Sequence, residues 1–249
     1  MNTIVAPTLD TAVVPVPPET PWQRLRREFL ASKLAVLGLV LLLLAIGVAV
    51  FAPWISPQNP FAIGTLDIFD SKLPPGSSSA DGSITYWLGT DGQARDLLSA
   101  IFYGMRTSLL VSGISVAAAL AIGSVVGLAA AYFGGWVDAL LMRIVDIQLS
   151  FPAILVALIL LAVLGKGVDK VIIALIIVQW AYFARAARGA ALVERAKEYV
   201  EAAQCMAPRA PRVVLRHMLP NCMPPLIVIA TIDLAHAIAL ESTLSFLGV

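Results

Sequence analysis

Two pairs of ionisable residues stand inside otherwise apolar runs of this chain. Arg143 and Asp146 are three residues apart, as are Asp233 and His236, a spacing that sets each pair on one face of a helix. Charge inside a lipid-spanning segment is costly and marks a functional candidate by default, and pairing reduces the cost. Arg143 and Asp146 lie near one end of their run, which suits a structural or interface pair. Asp233 and His236 suit either a path through the membrane or a neighbouring subunit. Upstream, Asp91, Arg95 and Asp96 can brace a polar segment through charge-assisted hydrogen bonds, or can form a plain solvated cluster. Hydrolytic and redox chemistry find no support. Gly165-Lys166-Gly167 lacks both the spacing and the hydroxyl of a phosphate-cradling loop. Cys205 and Cys222 match no metal or redox spacing and read as reduced thiols. No catalytic residue, metal site or cofactor is therefore assigned to this chain, and no nucleic-acid partner.

The elements that must position these residues cross a membrane. Of 249 residues, 59% are hydrophobic and 13% charged, far from the composition of a soluble domain. Apolar runs of roughly 20 residues, enough to span a bilayer, recur along the chain. They predict an all-α polytopic membrane protein with five spans, at about 34–55, 108–133, 136–164, 171–184 and 223–246. Residues 1–19 hold Pro7, Pro15, Pro17 and Pro18 without the basic leader and apolar core of a signal peptide, and are expected to form a disordered tail. Thr20-Pro21-Trp22-Gln23 reads as a helix start, with a Thr cap, Pro in the first turn and Gln closing a capping box. The 20–33 lead-in then sets Trp22, Leu25 and Phe29 on one face, fit for a membrane surface or for plain entry into the first span.

Within the spans, small residues and prolines punctuate the pattern. Ala119, Gly123, Gly127 and Ala131 recur every four residues and form a ridge that lets helix backbones approach closely in lipid. Gly134-Gly135 makes a tight turn. Pro152 kinks the third span or starts a new helix, and Pro224-Pro225 are expected in the first turn of the fifth. Orientation follows from Lys and Arg. Arg24, Arg26, Arg27 and Lys33 precede the first span, whereas residues 56–106 hold Lys72, Arg95 and Arg106 against five Asp. The 185–222 loop carries seven Lys and Arg against three Glu. The N-terminus and that loop are thus expected in the cytosol, and 56–106 outside.

Charge bias alone makes 185–222 a topogenic loop. Its order of residues adds more. Glu201-Ala202-Ala203, Ala207, His217 and Leu219-Pro220 resemble the EAA loop of the membrane-spanning subunits of bacterial ABC importers, which docks on a separate ATPase. That pattern runs E-A-A, three residues, Gly, nine residues, an apolar position, one residue and L-P. Ala207 replaces the Gly, and His217 at the apolar position is what the dipeptide/oligopeptide branch often carries. Leu192, Ala196, Tyr199, Ala203 and Met206 form an apolar stripe, with Glu194, Lys197, Glu198 and Glu201 mostly off it. A two-helix hook of this kind can enter a groove by its apolar face. Pro208 disfavours helical geometry at Ala207, so the corner is expected to be built differently from a glycine turn.

A second stretch carries the same resemblance. Leu88-Gly89-Thr90-Asp91-Gly92-Gln93-Ala94-Arg95-Asp96, followed by Tyr103-Gly104-Met105-Arg106-Thr107-Ser108-Leu109, is similar to the signature before the second span in the dipeptide/oligopeptide permeases, of the second-permease type. Ala94 again replaces a Gly, and Ala100 an Arg. Glu241 to Val249 resembles the family's E-A-x-L-S-F-L-G stretch. The resemblance implies a type I-like ABC importer permease in the bacterial cytoplasmic (inner) membrane. Its implied partners are a second homologous permease, two cytosolic ATPases that bind ATP and Mg, and an extracytoplasmic solute-binding protein. It also implies a sixth span, absent here, so a truncated chain is expected. Two rivals stay open on composition: an ion-gradient-driven secondary transporter, for which Asp233 and Pro152 speak, and a non-transporting membrane scaffold.

Overall fold

The computed structural model describes residues 21–62, 64, 66–200 and 210–248. The tail 1–19, the Thr20 cap and the loop centre 201–209 lie outside the described residues. Helix α1 covers Pro21–Ala31 and α2 Lys33–Ile55. α2 is apolar all round, as a lipid-surrounded span must be, with Leu41, Leu43 and Leu44 exposed. The chain divides into two units between Gly47 and Val48, inside α2.

The described residues between 56 and 96 form a folded polar cap. A 3-10 turn, Ile68–Asp70, leads to β1 (Ser77–Ser78) and β2 (Thr85–Tyr86), which pair antiparallel with Ser77 opposite Tyr86. Buried Asp70 organises this cap: its carboxylate accepts from the Ala80 amide at 2.8 Å and from the Tyr86 hydroxyl at 2.9 Å. Both acceptor oxygens are thereby used, which is what a buried carboxylate requires. Beside this anion the Tyr86 phenol is pushed up to about 12, by burial first and then by Asp70.

Helix α3 runs from Leu97 to Phe133, so it starts well before the expected Ser108. The reason is Asp96, an N-cap whose Oδ2 accepts from the Ser99 amide at 2.8 Å and its hydroxyl at 2.6 Å. At about 1.5 Å per residue, the helix outruns a hydrocarbon core of about 30 Å, and its first turns belong to the cap. Gly134 and Gly135, at φ 63° and 52°, turn the chain into α4 (Gly135–Leu149). The expected third span is not one straight helix. α4 and α5 (Ala153–Leu164) meet at 85°. Ser150 ends α4, bonding to the Asp146 and Ile147 carbonyls, and extended Pro152 begins the next turn. Proline lacks the amide needed to continue the ladder.

Helix α6 spans Val168–Arg195, passing beyond the expected end of the fourth span at Ala184. Residues Ala210–Val213 form α7, followed by a π-turn, Val214–Met218, and α8, Leu219–Phe246. Pro224 and Pro225 therefore sit inside a continuous helix and not in its first turn. The wide turn precedes Pro220: the Leu219 amide reaches back to the Val214 carbonyl. Among the described residues, α2, α3, α6 and Val214–Phe246 are long and apolar enough to cross a membrane, with the bent α4–α5 pair as a fifth element.

The core is the contact between α3 and α6, the most extensive in the chain. Ala119, Gly123, Gly127 and Ala131 are all buried. A Cβ on Gly123 would stand 2.5 Å from the Trp180 carbonyl oxygen, and one on Gly127 2.7 Å from the Arg188 amide. The small-residue ridge thus lies directly on the α6 backbone, where packing alone must hold helices together.

Candidate functional site

The described residues of the 185–222 loop lie where α6 ends and where α7 leads into α8. α6 closes with Ala196 as its cap, and helical geometry resumes at Glu198. The stripe of Leu192, Ala196 and Tyr199 therefore does not run along one helix. Those three side chains are exposed, whereas Ala187, Ala191 and Val200 face inward. Val200, Val213, Met218, Cys222 and Leu226 pack with Leu128 and Ala131 of α3 and with Ala187 and Ala191 of α6. Both sides of the loop are thus rooted in the same apolar cluster as the two central helices.

Polar contacts fix the exit from α6. Glu194, almost fully buried, accepts from Lys197 Nζ at 2.6 Å and from the Tyr199 hydroxyl at 2.5 Å. Partial desolvation, then the hydrogen bond to Glu194, push the Tyr199 phenol up to about 12, so it stays a donor. Arg195 Nη1 donates to the Ala131 carbonyl at 2.6 Å, one of the α3 carbonyls left without a helical partner at a C-terminus. Glu198 is exposed. His217 lies half-buried in the π-turn, its carbonyl accepting from Asn221 Nδ2 at 2.7 Å. Leu219 packs against the cluster and Pro220 is exposed. Glu201, Ala202, Ala203 and Ala207 lie outside the described residues.

The intramembrane pairing expected from spacing is replaced by cross-helix pairing. Arg188 Nε and Nη2 donate to Asp138 Oδ1 and Oδ2 at 2.5 and 2.6 Å, a two-pronged contact. Asp146 pairs with Arg185 of α6 and not with Arg143, which is exposed. Two ion pairs therefore join α4 to α6. Tertiary proximity wins over the local three-residue spacing because α4 lies against α6. Asp233 and His236 form no hydrogen bond or ion pair with each other; Asp233 Oδ2 is buried without a hydrogen-bond partner among the described residues, and His236 is exposed.

The upstream signature organises the base of the polar cap. Asp91 Oδ2 accepts from Arg95 Nε at 2.8 Å, and its Oδ1 from the Gln93 and Arg95 amides. Burial alone would raise this carboxyl, but those three donors together hold it below its ordinary value. Asp96, by contrast, does not pair with Arg95: it caps α3, and its amide donates to Gln58 Oε1 at 2.9 Å. The Thr90 hydroxyl bonds to the Asp70 carbonyl and accepts from the Leu73 amide. Gly89 sits at φ 78°, and so does Ala94 in the same region, at φ 59°. Tyr103 meets Phe61 edge to face at 5.9 Å. A Cβ on Gly104 would meet nothing within 4 Å, and Arg106 is exposed. Gln58, Asp70 and Tyr86 escaped the sequence reading, as did the contacts of Glu194, read only as lying off the apolar stripe, and of Arg195, counted only among the basic residues of the loop. Only the seven basic residues of the loop hinted that one of them would close α3.

Residues 119–249 match the family model described as the binding-protein-dependent transport system inner membrane component. This chain belongs to that family. Residues 20–75 match a second model, the N-terminal transmembrane domain of oligopeptide transport permease C. Relatives of this inner membrane component include a dipeptide transport system permease protein of Alkalihalophilus pseudofirmus, 34% identical over 92% of this chain and 72% of the relative. A di/tripeptide transport system permease protein of Pseudomonas aeruginosa is 37% identical over 98% of this chain and 78% of the relative. A glutathione transport system permease protein of Pectobacterium atrosepticum is 35% identical over 92% and 73%. The chain is thus a multi-pass permease subunit of an ABC-type transport system, with the mostly helical fold its sequence predicts.

Proposed function

We propose that this subunit forms half of an import path for small peptides or similar solutes, and that the 185–222 loop couples it to cytosolic ATPases. The observation that carries the reading is the anchoring of that loop. Val200 on one side and Val213 and Met218 on the other share a core with α3 and α6, so a push on the loop is delivered to the two central helices. In the sequence the E-A-A residues follow Val200 directly and the L-P residues follow Met218, next to the two anchored sides. The relatives named for dipeptides, di/tripeptides and glutathione support a peptide-like cargo. A second homologous permease completes the path, an external binding protein delivers cargo, and the basic loop and the N-terminus face the cytosol. ATP and Mg bind in the partner ATPases.

Copurification of the tagged chain from native membranes, with ATPase assay and mass spectrometry of the partners, tests this. A second permease and a pair of ATPase subunits are expected. A chain that emerges without an ATPase refutes the proposal. Glu201→Ala is expected to leave the complex assembled and ATP hydrolysis active while uptake falls; unchanged uptake would remove Glu201 from the coupling role.

A further inference from the structure

Among the described residues, two of the recesses on the helical core differ in chemistry. The larger, about 650 Å³, lies between α3 and the π-turn and offers a polar solute almost nothing besides Ser124. The smaller, about 220 Å³, lies where the first turns of α3, the start of α6 and the end of α8 converge, lined by Thr107, Gly167, Glu241 and Ser245 among others. Its carboxylate is the notable group. Glu241 is half-buried, and its Oε2 accepts from the Ser108 hydroxyl at 2.7 Å. No basic side chain bonds to it among the described residues. The two lysines of the adjoining turn are engaged elsewhere: Lys166 on the Gly248 carbonyl and Lys170 on Asp169. An anion in such a recess without a cation is incomplete, because a half-desolvated carboxylate is stabilised chiefly by an opposite charge with hydrogen bonds.

We infer that this recess receives a primary ammonium group, the amino end of the cargo as it enters the path. Its ligand set fits that group. An ammonium carries three donors and no acceptor, and the recess presents the carboxylate together with the hydroxyl oxygens of Thr107 and Ser245. Thr107 already spends its own hydroxyl proton on the Tyr103 carbonyl at 3.2 Å, so its oxygen is left as an acceptor. The volume is below that of a site enclosing a whole drug-sized ligand, as expected for a subsite that grips one end. The inference rests on the orientation and cargo class proposed above, which place this mouth on the outer side.

Ser245→Cys in the assembled transporter tests it. Labelling by aminoethyl methanethiosulfonate and by its sulfonatoethyl analogue is followed by mass spectrometry of the peptide carrying residue 245. Each rate is normalised to the same reagent reacting with a free thiol. The cationic reagent is expected to react about tenfold faster, and Glu241→Gln to bring the ratio to about one. Alanylalanine is expected to protect the thiol, and N-acetyl-alanylalanine to protect it far less. Thr107→Cys provides a second reporter should the first variant fail to assemble. A ratio that Glu241→Gln leaves unchanged, equal protection by both peptides, or no labelling at either position overturns the inference. Failure of the cargo reading is distinguishable: the wild-type complex would then show no ATP-dependent uptake of alanylalanine, whatever the labelling ratio.

Discussion

Breaking the Asp138–Arg188 contact should loosen α4 on α6 without disturbing either helix, since Asp146–Arg185 and the packing of Val145 on Ala181 and Ala184 remain. The pair is bidentate at 2.5 and 2.6 Å, with side chains 20% and 33% exposed. Hydrogen bonds to charged groups contribute roughly 1.5–3 kcal/mol. Partial exposure takes the pair toward the lower end, while removing one partner strands the other charge in a partly desolvated place. Asp138→Ala or Arg188→Ala should therefore each cost about 2 kcal/mol. For a chain of this size that corresponds to a fall in Tm of about 4–8 °C. The assay is thermal unfolding of the purified complex, read for wild type, both single variants and the double variant. The coupling energy should exceed the roughly 0.5 kcal/mol scatter expected of independent sites. The exchange Asp138→Arg with Arg188→Asp should recover at least half of the loss. A coupling within that scatter, or an exchanged pair no better than the singles, would refute the claim that this contact fastens α4 to α6.

Other perturbations follow from the same geometry. Gly127→Ala should cost about 1–3 kcal/mol by overpacking, since its Cβ would stand 2.7 Å from the Arg188 amide, whereas Gly113→Ala meets nothing within 4 Å and should be neutral. Comparing the yield of monodisperse complex for the two variants checks this. Gly89→Ala combines φ 78° with a Cβ 3.1 Å from the Pro74 carbonyl carbon, so it should destabilise the cap by about 2 kcal/mol or more. Ala94→Gly should stay within about 1 kcal/mol of wild type, because relief of a left-handed alanine offsets lost chain stiffness and one buried methyl. Hydrogen exchange at the cap amides separates these two outcomes. The Asp81 carboxyl is held down to about 2 by the Ser79 hydroxyl first, then the Ser83 amide and hydroxyl. A depressed carboxyl stabilises the fold above its unfolded value of 3.8 and loses that contribution as pH falls toward 2. Protection of the Ser83 and Ile84 amides should therefore hold at pH 5 and fade between about 4 and 2; fading already near pH 6 would contradict the assignment.

Much of the architecture was legible because lipid imposes simple demands. Long apolar runs, a glycine–alanine ridge every fourth residue and a proline after Ser150 each have one dominant physical reading, and α2, the α3–α6 contact and the α4–α5 corner follow them. Ion pairing was harder. Arg143 and Asp146 satisfy the local helix rule, yet Asp146 turns to Arg185, thirty-nine residues away, because spacing along one helix says nothing about which neighbour lies across from it. The start of α3 was hidden for a similar reason: hydropathy marks the span, whereas Asp96 and Ser99 decide where the helix begins. Pro224 and Pro225 looked like helix openers. The residues upstream supply a wider turn that lets the helix begin earlier and run through them. Ala94, by contrast, makes the glycine of the wider pattern intelligible, since its backbone has the left-handed φ that glycine takes without strain.

The closeness of α3 to α6 limits how this protein can move. Where Gly123 and Gly127 lie against peptide groups of the facing helix, no side chain stands between the two backbones to change rotamer and absorb a displacement. The two helices must then travel together, as a single strut. Any reorientation of the path has to be taken up at its borders, at the corner before Pro152 and along the looser flank of α8. Mutations that alter cycling speed while sparing assembly should accordingly collect at those borders and be scarce along the strut itself.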